Sequence, residues 1–457
     1  MRWGTIPYCD GPIENDTMPP HHARTFVMRL HVENFAKISS ADIEFDGLTV
    51  IAGKNNTGKS TVGKILYTFF RALSQLPKRV KRDRVEAVIR AFSRNVDREI
   101  TAEQAQRLLA GEVTAKEIYE EIKANEPKDD SAYSLFLGHL PQTLSDFSNQ
   151  DIAKTLDQVR STSDDDIAGR LAYQVVDCVF HRQVRPLRKV SGETKLVLTV
   201  QGEDNEILFS NDGGRIRHAT QLVKKVRLIA NPDVLSLLNV RDIATNKAYA
   251  RAFEKYTLEL AQELVKESRL SAAEEEAVRV NLAEIIELLD GVIHGNFTLD
   301  EENDFALIED GNEKPTKAEN LSMGMKFFVL LRFMLLHGVL QNRDVLILDE
   351  PENHLHPTLQ IVYAKVLVLL QKKFNLTILL TSHSTFFVNA VKRFCVVELE
   401  PGSAHFYLSK EDPDNPGLMT FEDRSDMTGP IFREFNEAYE LVDDLSKGGE
   451  VEGESQE

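Results

Sequence analysis

The stretch that decides the fold is the glycine-rich segment Gly53-Lys54-Asn55-Asn56-Thr57-Gly58-Lys59-Ser60, followed by Thr61. It fits the pattern G-x-x-x-x-G-K-[ST] of a phosphate-binding loop. Residues 48–52 before it are apolar and partly β-branched, which predicts a buried strand. Residues 61–73 after it carry apolar side chains at helical spacing. A glycine loop between a strand and a helix start directs backbone N–H groups at one anion, so the segment predicts a nucleotide phosphate site.

The residue types within this loop predict separate roles. The Lys59 ammonium would reach the β- and γ-phosphates, and the Ser60 hydroxyl would bind Mg²⁺. We therefore expect ATP and Mg²⁺ as cofactors, and the expected nucleotide-binding residues of the loop are Gly53, Lys54, Asn55, Asn56, Thr57, Gly58, Lys59, Ser60 and Thr61. A plain glycine-rich turn is the alternative, but a chance match in a chain of this length is about one in fifty from average residue usage.

A second stretch, residues 344–351, ends an apolar run with two carboxylates. The apolar run predicts a buried strand that delivers Asp349 at its carboxyl edge, where it would hold Mg²⁺ directly or through water. Because side chains alternate along a strand, Glu350 points differently and would polarise the attacking water as general base. An acidic strand end that merely faces solvent is the alternative. The phosphate loop upstream favours the catalytic interpretation.

His383 ends a further apolar strand, predicted around residues 378–380. A lone histidine after a strand is usually structural. If this strand lies beside the Asp349 strand in a parallel sheet, the carboxyl ends of both meet at the edge where ligands bind. His383 would then hydrogen-bond the γ-phosphate or the attacking water.

Residues 321–324, Leu-Ser-Met-Gly, precede an apolar helix and resemble the ABC signature Leu-Ser-Gly-Gly, with Met323 replacing the first glycine. The phosphate loop, the signature, Asp-Glu-Pro and the histidine occur in the order found in ABC ATPases. This resemblance implies an α/β fold, namely an ABC-type P-loop NTPase head with a mixed sheet and flanking helices, interrupted by a mostly helical insertion. It also implies a head-to-tail homodimer or higher homo-oligomer, in which Ser322 and Gly324 of one subunit close over the ATP held by Lys59 of the other.

Two further segments, Asn55-Asn56 and Glu352-Asn353-His354-Leu355-His356-Pro357, resemble the OLD-like and RecF/SMC-like ATPases of bacteria. The closest resemblance is to stand-alone ATPase subunits of anti-phage defence systems of the Septu, PARIS and retron type. It covers about residues 28–76 and 293–400. It implies a sensor or scaffold for a separate effector of nuclease or Toprim type, since the roughly 60 residues after residue 395 are too few for the Toprim domain of OLD nucleases. His356 replaces the D-loop aspartate of ABC transporters, and the Q-loop glutamine is not placed.

Composition restricts the other partners of the chain. Its 54 basic and 72 acidic residues give a net charge of −18, so uniform attraction to DNA or to an anionic membrane is not expected. No run approaches 18 apolar residues, and the N-terminus lacks an apolar signal core, so we expect neither a membrane span nor secretion. The three cysteines, Cys9, Cys178 and Cys395, are widely spaced and fit a reducing cytosol. The predicted location is the cytoplasm.

Shifts in composition divide the chain into seven predicted segments. These are a disordered leader at 1–25, the N-terminal lobe of the ATPase head at 26–76, a helical insertion at 77–180, a β-rich subdomain at 181–239, the second part of the helical insertion at 240–292, the C-terminal lobe at 293–440 and an acidic tail at 441–457. Capping-box patterns predict helix starts at Thr101, Thr114 and Ser271, the last helix closing at Gly291.

Two other functions stay open. A basic run at helical spacing between Lys78 and Arg98 is the local support for a RecF/SMC-like DNA-repair ATPase, although a solvated helix face is the more common explanation. The absence of sustained heptads makes a long coiled-coil arm doubtful. A nucleotide-binding subunit of an ABC transporter would need a surface for a membrane partner, and the helical insertion and residues 352–357 argue against it.

Overall fold

The computed structural model describes residues 28–433, apart from gaps at 97–99, 114–116, 119–120, 122–148, 182, 187–192, 211–212, 218–219, 221, 223, 240–252, 266–269, 300–303 and 313. Its centre is an eleven-stranded mixed sheet flanked by helices, with a three-stranded sheet beside it. The predicted α/β class with a mixed sheet and flanking helices is therefore confirmed. The predicted leader and acidic tail lie outside the described residues.

The large sheet contains strands β1 (Met28–Phe35), β2 (Ile38–Phe45), β3 (Leu48–Ala52), β4 (Thr194–Val200), β5 (Glu203–Ser210), β6 (Gly213–Arg217), β7 (Val226–Ile229), β11 (Val345–Asp349), β12 (Thr377–Ser382), β13 (Ala404–Glu411) and β14 (Met419–Asp423). Their spatial order is β6-β5-β4-β1-β2-β14-β13-β3-β12-β11-β7. The small sheet has the order β10-β9-β8 and contains β8 (Gly295–Leu299), β9 (Phe305–Glu309) and β10 (Thr316–Lys317).

The half of the large sheet that matters for function is parallel. Strands β13, β3, β12, β11 and β7 are parallel neighbours, with Ala52 opposite Ser382 and Asp349 opposite Thr381. Strands β3 and β12 are buried along their whole length, as expected for parallel strands covered on both faces. By contrast, β1 alternates between buried and more exposed residues and pairs antiparallel with β2 and β4. The parallel half therefore brings the carboxyl ends of three motif strands to one edge.

The helices with defined bounds are α1 (Lys59–Leu73), α2 (Leu76–Val96), α3 (Ala102–Ala110), α4 (Asn149–Ser161), α5 (Asp164–Phe180), α6 (Lys255–Leu264), α7 (Ala272–Asn281), α8 (Ala283–Ile293), α9 (Met323–Leu336), α10 (Pro357–Phe374) and α11 (Thr385–Glu398). They form separate cores on the two faces of the sheet. Val50 belongs to the core that contains residues of α8, α9, α10 and α11, whereas its neighbour Ile51 belongs to the core that contains residues of α1 and α5. None of the described helices combines the length and apolar character that crossing a bilayer requires.

The helical insertion has a small core of its own, formed by α2, α3 and α4 around Phe92 and Leu108. The capping box at Thr101 is present, since Thr101 Oγ1 accepts from Gln104 N at 3.2 Å. The box predicted at Thr114 lies outside the described residues. The polar composition of residues 161–166 predicts a loop, but Ser163 caps α5 and the acidic first turn of that helix begins at Asp164.

Two other local predictions need correction. The box at Ser271 is present, but the helical segment it opens does not close at Gly291. Helix α8 continues to Ile293, which is buried, and ends at His294 with φ 47°. The sequence also predicts a turn at Asn34-Phe35, but the structure places the turn later, at residues 36–37. Strand β1 extends through Phe35 because that side chain is fully buried against the ring of Phe180.

Candidate active site

The phosphate loop joins the carboxyl end of β3 to the first turn of α1. Gly58 is the N-cap of α1 with φ 83°, a conformation that glycine adopts freely, and it supplies no side-chain cap. The N–H groups of the first turn therefore have no side-chain acceptor at the cap and face the loop. Lys54, Asn55 and Asn56 are exposed, whereas Thr57 and Ser60 are half-buried. This geometry is typical of an anion site at a helix start.

Gly53 is required by a close contact with the neighbouring strand. A Cβ atom built on Gly53 would lie 1.8 Å from Ser409 Oγ on β13. The Ser409 hydroxyl also lies 2.7 Å from Thr57 Oγ1, and it donates to Ala52 O at 3.3 Å. Ser409 on β13 thus contacts both the residue before the loop and Thr57 within it.

Lys59 is enclosed by the loop that it follows. Its side chain is 3% exposed, and Nζ donates to Gly53 O at 2.9 Å and to Lys54 O at 2.7 Å. The same nitrogen lies 3.5 Å from Glu350 Oε1. Burial lowers the pKa of Lys59, and the attraction of Glu350 opposes that shift only in part. The lysine therefore joins the phosphate loop to the carboxyl end of β11.

Asp349 ends β11 at the same edge and is half-buried. Thr381 Oγ1 on the adjacent β12 donates to Asp349 Oδ1 at 2.5 Å, which orients the carboxylate. The Ser60 hydroxyl and the Asp349 carboxylate are both hard oxygen ligands, the type that Mg²⁺ prefers, so they fit a magnesium ion that also takes phosphate oxygens and water. No group of three or more His, Cys, Asp or Glu among the described residues could hold a metal on its own.

Glu350 has a backbone conformation that is unusual for its residue type. Its φ is 47°, in the left-handed region, and its N–H donates to both Thr381 O and Thr381 Oγ1 at 3.1 Å. Asn353 Nδ2 donates to Glu350 Oε2 at 3.0 Å. Burial alone would raise the pKa of Glu350, but the Asn353 hydrogen bond and the charges of His383 and Lys59 bring it below its ordinary value. The carboxylate is thus ionised at neutral pH, as a general base must be.

His383 follows β12 and contacts the same carboxylate. Its Nδ1 atom lies 3.2 Å from Glu350 Oε2 and 3.9 Å from Glu352 Oε1. Nδ1 nevertheless has no hydrogen-bond partner among the described residues. The structure thus brings Lys59 and His383 together around the carboxylate of Glu350.

The signature-like residues lie in another part of the domain. Ser322 caps α9, its Oγ accepting from Met325 N at 3.3 Å, and it remains exposed. Gly324 is buried, and a Cβ atom built there would lie 2.9 Å from His354 O. The contacts recorded for Ser322 and Gly324 within the described ranges do not reach the phosphate loop. One subunit therefore brings the loop and strand-end residues together, but not the signature.

Sequence reasoning did not single out Thr381 or Ser409. Both are hydroxyl residues in largely apolar strands that end at this edge, a signal that was available in the sequence. His356 caps α10, since its Nδ1 accepts from Thr358 N at 3.3 Å. Asn231 follows β7, the neighbour of β11, where its Oδ1 accepts from Asp233 N at 2.8 Å and caps a short 3₁₀ helix.

Two protein-family models match the sequence. The model described as "AAA ATPase domain" matches residues 26–174, which contain the phosphate loop. The model described as "AAA domain, putative AbiEii toxin, Type IV TA system" matches residues 204–389, which contain Ser322, Asp349 and His383. The two stretches are therefore similar to AAA-type ATPase domains. No curated protein sequence matches the chain.

Several solved structures are similar to the chain. The Smc head domain with an extended coiled coil, bound to the C-terminal domain of ScpA and derived from Pyrococcus furiosus, is 11% identical with a TM-score of 0.40, covering 92% of this chain and 99% of that one. The recombination mediator RecF of the RecFOR pathway is 12% identical with a TM-score of 0.34, covering 88% and 100%. The ADP conformation of an ATP-binding cassette of an ABC transporter is 10% identical with a TM-score of 0.30, covering 84% and 87%.

Proposed function

We propose that this protein binds and hydrolyses ATP with Mg²⁺ at the edge formed by the phosphate loop, Asp349, Glu350 and His383. The observation that carries the proposal is the convergence of Lys59 Nζ and His383 Nδ1 on Glu350, at 3.5 Å and 3.2 Å. The two AAA matches support it, because they contain the phosphate loop and the strand-end residues respectively.

Each side chain has a role that follows from its position. The N–H groups of the loop bind the phosphates, and Lys59 exchanges its two carbonyl acceptors for phosphate oxygens. Ser60 and Asp349 would hold the magnesium ion, which supplies charge neutralisation at the phosphates. Glu350 accepts a proton from the attacking water, and His383 contacts the γ-phosphate or that water. The depressed pKa of Glu350 keeps it available as a base at neutral pH.

The proposal includes a head-to-tail dimer that completes the site. Ser322 is exposed at the start of α9, and α9 is fixed by Lys326, whose Nζ donates to Asp233 Oδ1 at 2.7 Å. A rigid, exposed helix start is suited to binding the phosphates of ATP held by another subunit. Ser322 and Gly324 of one subunit would then close over the nucleotide on the other.

The role that we propose for this ATPase is that of a sensor or scaffold for a separate effector, of nuclease or Toprim type, in prokaryotic anti-phage defence in the cytoplasm. The resemblance of residues 352–357 and of the motif order to defence ATPases supports it.

The nucleotide site is tested by measuring ATP binding and hydrolysis in the Lys59→Ala variant. Loss of the ammonium that faces the loop and Glu350 should weaken ATP binding at least 100-fold, since a buried charge-assisted contact is removed. Lys373→Ala, which removes an exposed lysine on α10, is the matched control and should behave as wild type. Tight ATP binding by Lys59→Ala would refute the site.

The dimer is tested by mixing two inactive variants. Lys59→Ala disables the loop edge and Ser322→Arg disables the signature, so a mixed dimer retains one intact composite site. Random mixing makes half of the dimers mixed, and the mixture should recover about a quarter of wild-type turnover. Lys59→Ala mixed with Glu350→Gln has both defects on the same edge and should recover nothing. Equal turnover in the two mixtures would exclude the composite site.

An ATPase that acts on DNA is the second candidate, and one surface favours it. A cavity of about 340 Å³ is lined by four basic residues, Arg71, Arg79, Arg82 and Lys255. One carboxylate, that of Glu259, also lines it and pairs with Arg71 at 2.6 Å. Burial, followed by the charges of Arg71 and Arg82, lowers the pKa of Arg79. Crowded guanidinium groups of this kind suit a phosphate backbone. Stimulation of turnover by DNA, falling steeply with salt and abolished in Arg82→Ala, would favour this function over the first.

A further inference from the structure

A buried carboxylate lies beside the proposed active site without a described function. Glu352 is 3% exposed and lies three residues after Asp349 in the segment that follows β11. Its Oε1 atom accepts from Ser382 Oγ at 2.6 Å and from His383 N at 3.1 Å. One carboxylate oxygen therefore binds two successive residues at the end of β12.

The other oxygen of this carboxylate is unusual. Among the described residues, Glu352 Oε2 is buried and has no hydrogen-bond partner. The imidazole of His383 is also near this carboxylate, with Nδ1 3.9 Å from Oε1. Burying an acid with so little compensation is costly, and an amide or hydroxyl would satisfy the same two donors at lower cost. Burial also raises the pKa of Glu352.

The segment that Glu352 holds is connected to the rest of the site. Ser382 O accepts from Gly53 N at 3.3 Å, which ties the end of β12 to the first residue of the phosphate loop. Ser384 N donates to Ser382 Oγ at 3.0 Å, which shapes the turn into α11. The position of the His383 ring depends on this turn, because its backbone N–H is one of the groups bound to Glu352.

We propose that Glu352 is a positioning residue for His383. Its Oε1 atom fixes the backbone of residues 382–383, so that the imidazole faces Glu350 from 3.2 Å. Glu352 thereby sets the rate of hydrolysis and leaves ATP affinity nearly unchanged. The inference rests on the proposed function, since it presumes that Glu350 and His383 act in hydrolysis.

The acceptor role needs an oxygen and not a charge. Glu352→Gln keeps an oxygen at the Oε1 position, and the side chain has the same length and shape. This variant should therefore retain turnover within about threefold of wild type, since both hydrogen bonds can form. Glu352→Ala removes both acceptors and should lower kcat about 30-fold with KM for ATP changed less than twofold, within the range of coupling between neighbouring side chains.

A double-mutant cycle with His383→Ala separates positioning from general structural support. If Glu352 acts through the imidazole, Glu352→Ala should lower kcat less than threefold once His383→Ala is present. The same 30-fold loss in both backgrounds would overturn the proposal, as would wild-type turnover in Glu352→Ala alone. A full loss of activity in Glu352→Gln would overturn the acceptor role.

Two further measurements keep the outcome decisive. If Glu352→Ala does not fold, Ser382→Ala removes one of the two donors to Oε1, and it should lower kcat about fivefold in the wild-type background and not in His383→Ala. Unchanged kcat in Ser382→Ala would then contradict the proposal. Wild type and Lys59→Ala are measured alongside. Equal turnover in those two would refute the ATPase site itself. If Lys59→Ala is inactive as expected but Glu352→Ala hydrolyses ATP at the wild-type rate, only the role of Glu352 is refuted.

Discussion

The two ends of the parallel strands hold their buried charges in different ways. At the amino end, the Arg227 guanidinium on β7 donates to Asp344 Oδ2 at 2.7 Å and to both oxygens of Glu263 at 3.0 Å. At the carboxyl end, Lys59 Nζ and His383 Nδ1 lie 3.5 Å and 3.2 Å from Glu350. The cationic side chain at each end is almost fully buried. Arg227 at the amino end is 2% exposed, and Lys59 at the carboxyl end is 3% exposed.

We interpret this difference as one between charges that stabilise the fold and charges that, under the proposed function, are kept for a ligand. Short, multiple hydrogen bonds to carboxylates offset the desolvation of the buried Arg227 ion, whereas the short hydrogen bonds of Lys59 go to the neutral carbonyls of Gly53 and Lys54. The carboxyl end has longer ion pairs, a residue with φ 47° at Glu350 and an unpartnered oxygen on Glu352. Such an arrangement costs folding energy and is typical of a functional site.

The largest expected effect is on catalysis at the carboxyl end. Glu350→Gln keeps the size of the side chain but removes the base, so ATP hydrolysis should fall about 10²- to 10⁴-fold. ATP binding should persist, and the closed dimer should accumulate, as measured by light scattering with and without ATP. The free energy of unfolding should change by less than about 1 kcal/mol, because the wild-type carboxylate is loosely paired.

Glu287→Gln is the control for this variant, because it makes the same substitution at an exposed position on α8. It should leave turnover and unfolding unchanged. Turnover near the wild-type rate in Glu350→Gln would show that Glu350 is not the general base. The distinction between the two ends would also be wrong if Glu350→Gln lowered the free energy of unfolding as much as we expect below for Arg227→Met at the amino end.

The sequence predicted the carboxyl end better than the amino end, for physical reasons. The phosphate loop, Asp349 and His383 lie at the carboxyl ends of short apolar strands, and parallel strands align their ends without further information. Thr381 and Ser409 were not singled out, because their importance depends on which strands are neighbours. Nothing local in the sequence pairs Arg227 with Asp344, which are separated by 117 positions.

Local errors have a similar origin. The turn after β1 was placed too early, because the sequence does not show that Phe35 packs on Phe180 from the insertion. The sequence predicts a helix end at Gly291 because glycine often ends helices. The helix continues to Ile293 because that side chain is buried in the core. Capping boxes, by contrast, are local hydrogen-bond patterns, and those at Thr101 and Ser271 were predicted correctly.

A second prediction concerns the amino end, where stability and not catalysis should change. Arg227→Met preserves much of the side-chain volume but leaves Asp344 and Glu263 without their buried partner. The free energy of unfolding should fall by about 3–5 kcal/mol, the usual cost of breaking a buried pair. Denaturant titration measures this loss, and turnover per folded molecule should stay at the wild-type value. Arg393→Met, on the exposed side of α11, is the control and should cost less than about 0.5 kcal/mol.

The smallest expected effect is a pH dependence from the same cluster. Burial alone would raise the pKa of Glu263, but the hydrogen bond and charge of Arg227, followed by those of Lys225, lower it to about 2. A carboxylate whose pKa is lower in the folded state stabilises the fold above its unfolded pKa near 4.5, and this stabilisation is lost as the pH falls towards 2.

Unfolding of wild type and Glu263→Gln, measured between pH 7 and pH 3, tests this contribution. The wild type should be more stable by about 2–3 kcal/mol at pH 7, and the difference should shrink steadily below about pH 4.5. No comparable narrowing is expected between wild type and Glu350→Gln, because the Glu350 carboxylate has longer ion pairs and contributes little to stability. The two ends of the strands would hold their charges in the same way if the difference in free energy of unfolding between wild type and Glu263→Gln did not change with pH. The same conclusion would follow if this difference narrowed equally for Glu263→Gln and Glu350→Gln.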